Sequence, residues 1–172
     1  TAGAAGATMT AVCAQAKLTE RYFYESFTSR DDLLRHVVDA VSEEIKLAAL
    51  SALHSPAATV DKQVENAIAA FVAVLTEDRR KGRVALIESS AVESLRTHRR
   101  ELMRDFSRIV AEESHELFGE RAWPQPQSSI HGLLFIGGLA ELARDTAAVD
   151  ADIYLAWEQQ PDDFDVLAET LH

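Results

Sequence analysis

Thr19, Arg21, Tyr22 and Tyr24 lie within one short stretch and bring together a hydroxyl, a guanidinium and two phenols. Groups of this kind hydrogen-bond phosphate oxygens and base edges in a duplex groove. Upstream, Thr8 can offer its hydroxyl and the free amides of a helix start to a phosphate, and downstream Arg30 can neutralise another. Chemistry of the bond-breaking kind finds little support. The chain has no glycine-rich phosphate loop and no Ser-His-Asp order in a strand–turn–helix setting. Carboxylate pairs such as Glu112-Glu113 and Asp162-Asp163 sit among polar residues and read as solvated faces. No enzyme activity and no cofactor is expected.

The elements that must position these groups are helical. Four prolines and seven glycines in 172 residues leave too few turns for a β-sandwich. Thr8 caps a helix with Met9, Val12, Cys13 and Ala16 at helical spacing, and Lys17-Leu18 forms a tight turn. Thr19 caps a second helix, Glu20 to Ser26, with Phe23 and Phe27 on its inner face. Ser29 caps a third, with Asp32 at the capping-box position, running to about His54 before Pro56. Thr59 caps a helix from Val60 to Thr76. A basic turn at Arg79–Gly82, a short helix through Val84, Leu86 and Ile87, and a long one from Val92 to Phe118 follow, the last stopped by Gly119. Pro124 and Pro126 mark a linker. Ser128 to Ala147 is a strongly apolar helix, and Asp152–Gln159 and Asp162–Leu171 are two further helices, giving about nine and no strand.

Two short helices joined by a tight turn, backed by a third, make a helix-turn-helix. The segment from Thr8 to Leu34 resembles the DNA-binding motif of the TetR family of transcriptional regulators. Thr8-Met9 matches its opening, Val12-Cys13 its apolar pair, and Ala16-Lys17-Leu18-Thr19 its turn. Phe23-Tyr24 with Phe27 matches its aromatic core, and Ser29-Arg30 with Leu33-Leu34 the start of the next helix. The resemblance implies phosphate contacts for Thr8, Thr19, Tyr24 and Arg30, base-facing positions for Arg21 and Tyr22, and a structural role for Phe27. The family turn carries glycine where this chain has Lys17, which therefore requires a left-handed or strained backbone and adds a cation near DNA. The first family helix has no counterpart in the residues before Thr8, so the sequence is expected to be truncated or incompletely observed at its start.

The resemblance further implies an all-α protein with two parts: a helix-turn-helix DNA-binding domain over residues 1–36 and an effector-binding and dimerisation domain over 37–172. The sequence fits this division. The net charge is −11, yet residues 1–36 sum to zero, with Lys17, Arg21, Arg30 and Arg35 against Glu20, Glu25, Asp31 and Asp32. An acidic body discourages indiscriminate binding. The Ser128–Ala147 helix is too apolar for a surface, and Gly132, Gly137 and Gly138 permit close backbone approach. A homodimer interface is expected at Ile130, Leu134, Gly138, Glu141, Phe164, Leu167 and Leu171. A ligand pocket is expected between the Val60–Thr76 and Val92–Phe118 helices and the start of the Ser128 helix. Its expected lining is Phe71, Leu75, Phe106, Ile109, Val110, His131 and Phe135, suited to a small apolar or amphipathic effector.

Other features have blander readings. Arg79 to Arg83 and the arginines Arg96, Arg99, Arg100 and Arg104 sit beside acidic residues, as surface ion pairs do. None of the six histidines has a His or Cys partner one turn away; His115 near Glu112 and Glu116 is the one spacing a metal could use, and no metal site is expected. Cys13 is the only cysteine, which excludes an intrachain disulfide. With no signal peptide and no membrane-spanning run, a cytoplasmic protein is expected. The function that follows is a ligand-responsive repressor binding a palindromic operator as a homodimer. The rival readings are a helical dimeric regulator or adaptor without DNA binding, and a small helical enzyme using the body pocket.

Overall fold

The computed structural model describes residues 8–17, 19–57 and 59–158, with side chains at all of these except Tyr22 and residues 146–158. The described residues form seven helices and no strand. The helix α1, Met9–Ala16, starts at Thr8, whose hydroxyl accepts from the Ala11 amide at 3.2 Å. It stops at Lys17, which adopts φ 55° and ψ 36°, so its N–H turns back onto the Cys13 and Ala14 carbonyls. A lysine thus occupies the left-handed conformation that the sequence demanded of it, at a cost of about 1–2 kcal/mol. Helix α2, Glu20–Ser26, begins after Thr19, whose backbone is extended as at other helix starts. Its hydroxyl makes no capping bond, contrary to expectation. The Glu20 carboxylate instead supplies negative charge to the first turn and accepts from Thr10 at 3.2 Å, tying α2 to α1.

The third helix, α3, is a rod over Arg30–Leu53, about 36 Å long at 1.5 Å per residue. Ser29 caps it by accepting from the Asp32 amide at 3.1 Å. The Asp32 carboxylate reaches back to the Thr28 amide and hydroxyl, both at 2.9 Å. Those bonds, the amide first and then the hydroxyl, with smaller help from His36 and Arg35, hold its pKa below the ordinary carboxylate value. Helix α4, Val60–Glu77, is capped by Thr59, which accepts from the Lys62 amide. Helix α5 is longer and less regular than the short helix expected: Arg79–Gly82, a π-helical turn over Arg83–Glu88, and Ser89–Ala91 run on without a break. Ser89 and Ser90 bond back to the Ala85 and Leu86 carbonyls within that stretch. Asp78 caps α5, and its hydrogen bonds from Arg80 bring its carboxyl down to about 2.

Helix α6 spans Glu93–Phe118 and ends at Gly119, whose φ of 56° and ψ of −126° suit glycine alone. Helix α7 runs unbroken over Gln127–Glu158. It merges the two helices expected at Ser128–Ala147 and Asp152–Gln159, because no proline or glycine separates them. The helix count among the described residues is therefore seven rather than nine, and the helix expected over residues 162–171 lies outside them. The core forms where four helices meet: Val41 and Ile45 of α3, Phe71 and Leu75 of α4, Leu86 of α5, and Ala140 and Ala143 of α7. Burial of each large member contributes about 1.5–3 kcal/mol. Helices α6 and α7 approach closely at Gly132, where a Cβ would lie 2.5 Å from the Ser107 carbonyl oxygen. Ser107 seals that crossing with a bond from its hydroxyl to the Ser129 carbonyl at 2.9 Å. Gly137 and Gly138 take no part in close approach among the described residues; a Cβ there would meet none of their atoms within 4 Å. No helix among the described residues is long and apolar enough to cross a membrane.

Candidate functional site

Helix α2 is held by its aromatic side. Phe23 is 5% exposed and packs against Phe27 at a centroid distance of 5.5 Å, and Phe27 meets the His36 ring of α3 edge-on at 5.4 Å. With that face fixed, Arg21 and Tyr24 turn outward, the Arg21 side chain 85% exposed and Tyr24 57%. Arg21 Nε donates to Glu25 Oε1 at 3.0 Å, an i,i+4 pair in open water worth about 0.3–0.5 kcal/mol, easily exchanged for a stronger acceptor. Thr8, Lys17 and Thr19 are also exposed. Arg30 is half-buried, and its Nε is shielded from solvent with no hydrogen-bond partner among the described residues. The expected contact at Tyr22 involves a side chain outside those described.

Behind the core lies an apolar cavity of about 240 Å³. Five of the seven residues expected to line a pocket do line this one: Phe71, Phe106, Ile109, Val110 and Phe135. Two do not. Leu75 is 2% exposed and packs into the core cluster beside the cavity, one helical turn from Phe71. His131 lies on the outer side of α7, where its ring stands edge-on to Trp123 at 4.7 Å. The sequence reading also missed a wall. The C-terminal half of α3 contributes Lys46, Ala49, Leu50 and Leu53, and α6 extends the lining to Glu113, Ser114 and Leu117. The apolar stripe of α3 was legible, but spacing alone does not show whether a stripe faces packed atoms or a void.

A third surface is apolar and exposed among the described residues. On α7, Ile136, Ala140 and Ala143 are buried, while Ile130, Leu133, Leu134 and Leu142 are 55%, 47%, 68% and 69% exposed. Gly138 and Glu141 are exposed on the same helix. Four of the seven expected interface residues, Ile130, Leu134, Gly138 and Glu141, thus share an exposed helix. Phe164, Leu167 and Leu171 lie outside the described residues. Between these regions α3 is gripped from the side: His98 Nε2 of α6 lies 2.5 Å from Asp39 Oδ1, and Lys81 Nζ of α5 lies 2.5 Å from Glu44 Oε1.

No protein-family model, curated protein or solved structure matches the chain.

Proposed function

We propose that the chain is a TetR-type transcriptional regulator, a homodimer that reads a palindromic operator with α2 and releases it when a small apolar or amphipathic molecule enters the body cavity. The observation that carries the reading is the two-sided build of α2, with Phe23 buried and Arg21 and Tyr24 presented to solvent. A helix so anchored can enter a major groove with its outer side chains on base edges. Thr8, Lys17 and Thr19 are exposed and would take phosphate contacts, and a phosphate oxygen would give the Arg30 guanidinium an anionic acceptor. Residues 1–36 then serve as the DNA-binding unit and 37–172 as the effector and dimer unit, in the cytoplasm where the operator lies.

The apolar face of α7 supports dimerisation, because water-exposed leucines and isoleucine in one stretch are costly unless covered. Two-fold symmetry would set two copies of α2 about 34–36 Å apart, one turn of duplex. Repression relieved by effector follows from α3. Its N-terminal end abuts α2, and its C-terminal half walls the cavity, about 30 Å along the same rod. A molecule that fills the cavity best when α3 is displaced favours a dimer whose reading helices are wrongly spaced. DNA affinity then falls by the coupling, typically about 1–3 kcal/mol.

The test is binding of a duplex taken from the region upstream of the protein's own gene, followed by fluorescence anisotropy against random-sequence competitor. Saturable, competitor-resistant binding is expected, weakened about 10- to 100-fold by Arg21→Ala. No preference over random duplex would favour a dimeric adaptor that does not read DNA. Unchanged affinity in Arg21→Ala would remove α2 as the reading helix.

A further inference from the structure

His54 closes the C-terminus of α3, its amide bonded to the Leu50 carbonyl at 3.0 Å, so its imidazole is set by the end of that rod. Glu113 and Glu116 stand one turn apart on α6 and project to the same place. His54 Nε2 lies 2.7 Å from Glu113 Oε2, and one ligand atom from each of the three residues lies within 4.8 Å of the others. We propose that His54, Glu113 and Glu116 bind a divalent cation of the zinc class and pin the end of α3 to α6. This inference does not depend on DNA reading.

The donor set argues for it. One imidazole nitrogen and two carboxylates from separate helices form a mixed nitrogen–oxygen site, which suits zinc and cobalt better than the all-oxygen shells of magnesium or calcium. Neither Glu113 nor Glu116 forms an ion pair with a lysine or arginine among the described residues; His54 is the cation-forming partner of Glu113. Glu113 is also largely withdrawn from water, with an 18% exposed side chain. Geometry allows the fit. Donors about 2.0–2.2 Å from a tetrahedral metal are about 3.4 Å apart. The His54–Glu113 pair must open by well under 1 Å, and Glu116 must close by no more than about 1.4 Å, within the freedom of glutamate rotamers. The signal was invisible in the sequence because His54 and Glu113 are 59 residues apart; the local spacing pointed instead to His115.

Three protein ligands leave a tetrahedral ion one open position. Glu113 also lines the apolar cavity, so the ion sits at its edge. A cavity ligand with an oxygen head, such as a carboxylate or phenolate, can complete the coordination while its apolar part occupies the 240 Å³ beyond.

The test uses the untagged full chain, stripped with a chelator and titrated with Zn²⁺ by calorimetry and with Co²⁺ by visible absorption. One ion per chain is expected, with a d–d spectrum of low-coordinate cobalt that Zn²⁺ abolishes and excess Mg²⁺ does not. His54→Ala and Glu116→Gln should each weaken binding about tenfold or more, since losing a ligand costs at least what losing a group that merely supports one does. Circular dichroism should show both variants as helical as the parent, because both side chains are exposed. No saturable binding, a stoichiometry other than one, or binding that either substitution leaves unchanged would overturn the proposal.

Discussion

On α2 the outward side chains are Glu20, Arg21, Tyr24 and Glu25; on α7 they are Ile130, Leu133, Leu134 and Leu142. The first face is content in water. Its arginine is paired and exposed, and a partner gains only by exchanging that pair for a stronger one, so contact there is reversible and salt-sensitive. The second face loses about 25 cal/mol for every Å² of apolar surface left wet, a cost that any permanent cover removes. The supports differ too. Helix α2 has seven residues and is anchored by Phe23 and Phe27, whereas α7 has 32 residues and buries Ile136, Ala140 and Ala143 in the core. A short, polar, lightly anchored face fits an intermittent partner, and a long, apolar, core-fixed face fits a constitutive one.

The largest expected effect breaks the apolar half of this contrast. Leu134→Glu places a charge at the centre of the α7 face, where the side chain is 68% exposed in the single chain and folding should be spared. Affinity of the proposed dimer is expected to fall by about 2 kcal/mol or more, roughly thirtyfold, and sedimentation equilibrium at micromolar protein should move toward the single-chain mass. A mass unaffected by the substitution would mean that this face is not the dimer contact.

The next effect separates the inner side of α7 from its outer side. Gly132→Ala drives a methyl to 2.5 Å from the Ser107 carbonyl oxygen, so α6 and α7 must part. A loss of about 1–3 kcal/mol is expected, read as a thermal midpoint lower by roughly 2–4 °C per kcal/mol. Gly138→Ala meets nothing among the described residues and should gain helix propensity, up to about 1 kcal/mol. If a second copy packs closely at Gly138, the same substitution weakens the dimer while stabilising the chain. A Gly132→Ala protein that melts with the parent would mean the crossing is looser than the structure has it.

What the sequence disclosed, and what it hid, follows the range of the interactions. The caps at Thr8, Ser29 and Thr59 and the left-handed Lys17 are set by neighbours a few residues away, and they read directly. So did the faces of α4, α6 and α7 that bring Phe71, Phe106, Ile109, Val110 and Phe135 to one cavity, since helical period fixes a face. Leu75 did not, because one turn beyond Phe71 the same face of α4 leaves the main cavity for a smaller space of about 50 Å³ that α3, α5, α6 and α7 close around it. His131 was placed inward on the apolar character of its helix, yet Trp123 takes its ring on the outer side. The convergence of His54 with Glu113 and Glu116 depends wholly on how α3 lies against α6.

The smallest effect sharpens the polar half. Lys17 pays for a backbone of φ 55° that glycine adopts freely. Lys17→Gly relieves about 1–2 kcal/mol of left-handed strain but adds about 0.5–1 kcal/mol of chain entropy, for a net gain of up to about 1.5 kcal/mol. Stability alone would therefore favour glycine. If the lysine ammonium meets a phosphate, the substitution should also weaken DNA binding and lower the slope of log affinity against log salt by about 0.9 for each phosphate no longer neutralised, two per dimer. The thermal midpoint and the DNA affinity then move in opposite directions. That divergence is expected of a residue kept for its charge in spite of its backbone. A rise in both, or a salt slope that stays put, would mean that Lys17 stands clear of the duplex and that the polar face ends at α2.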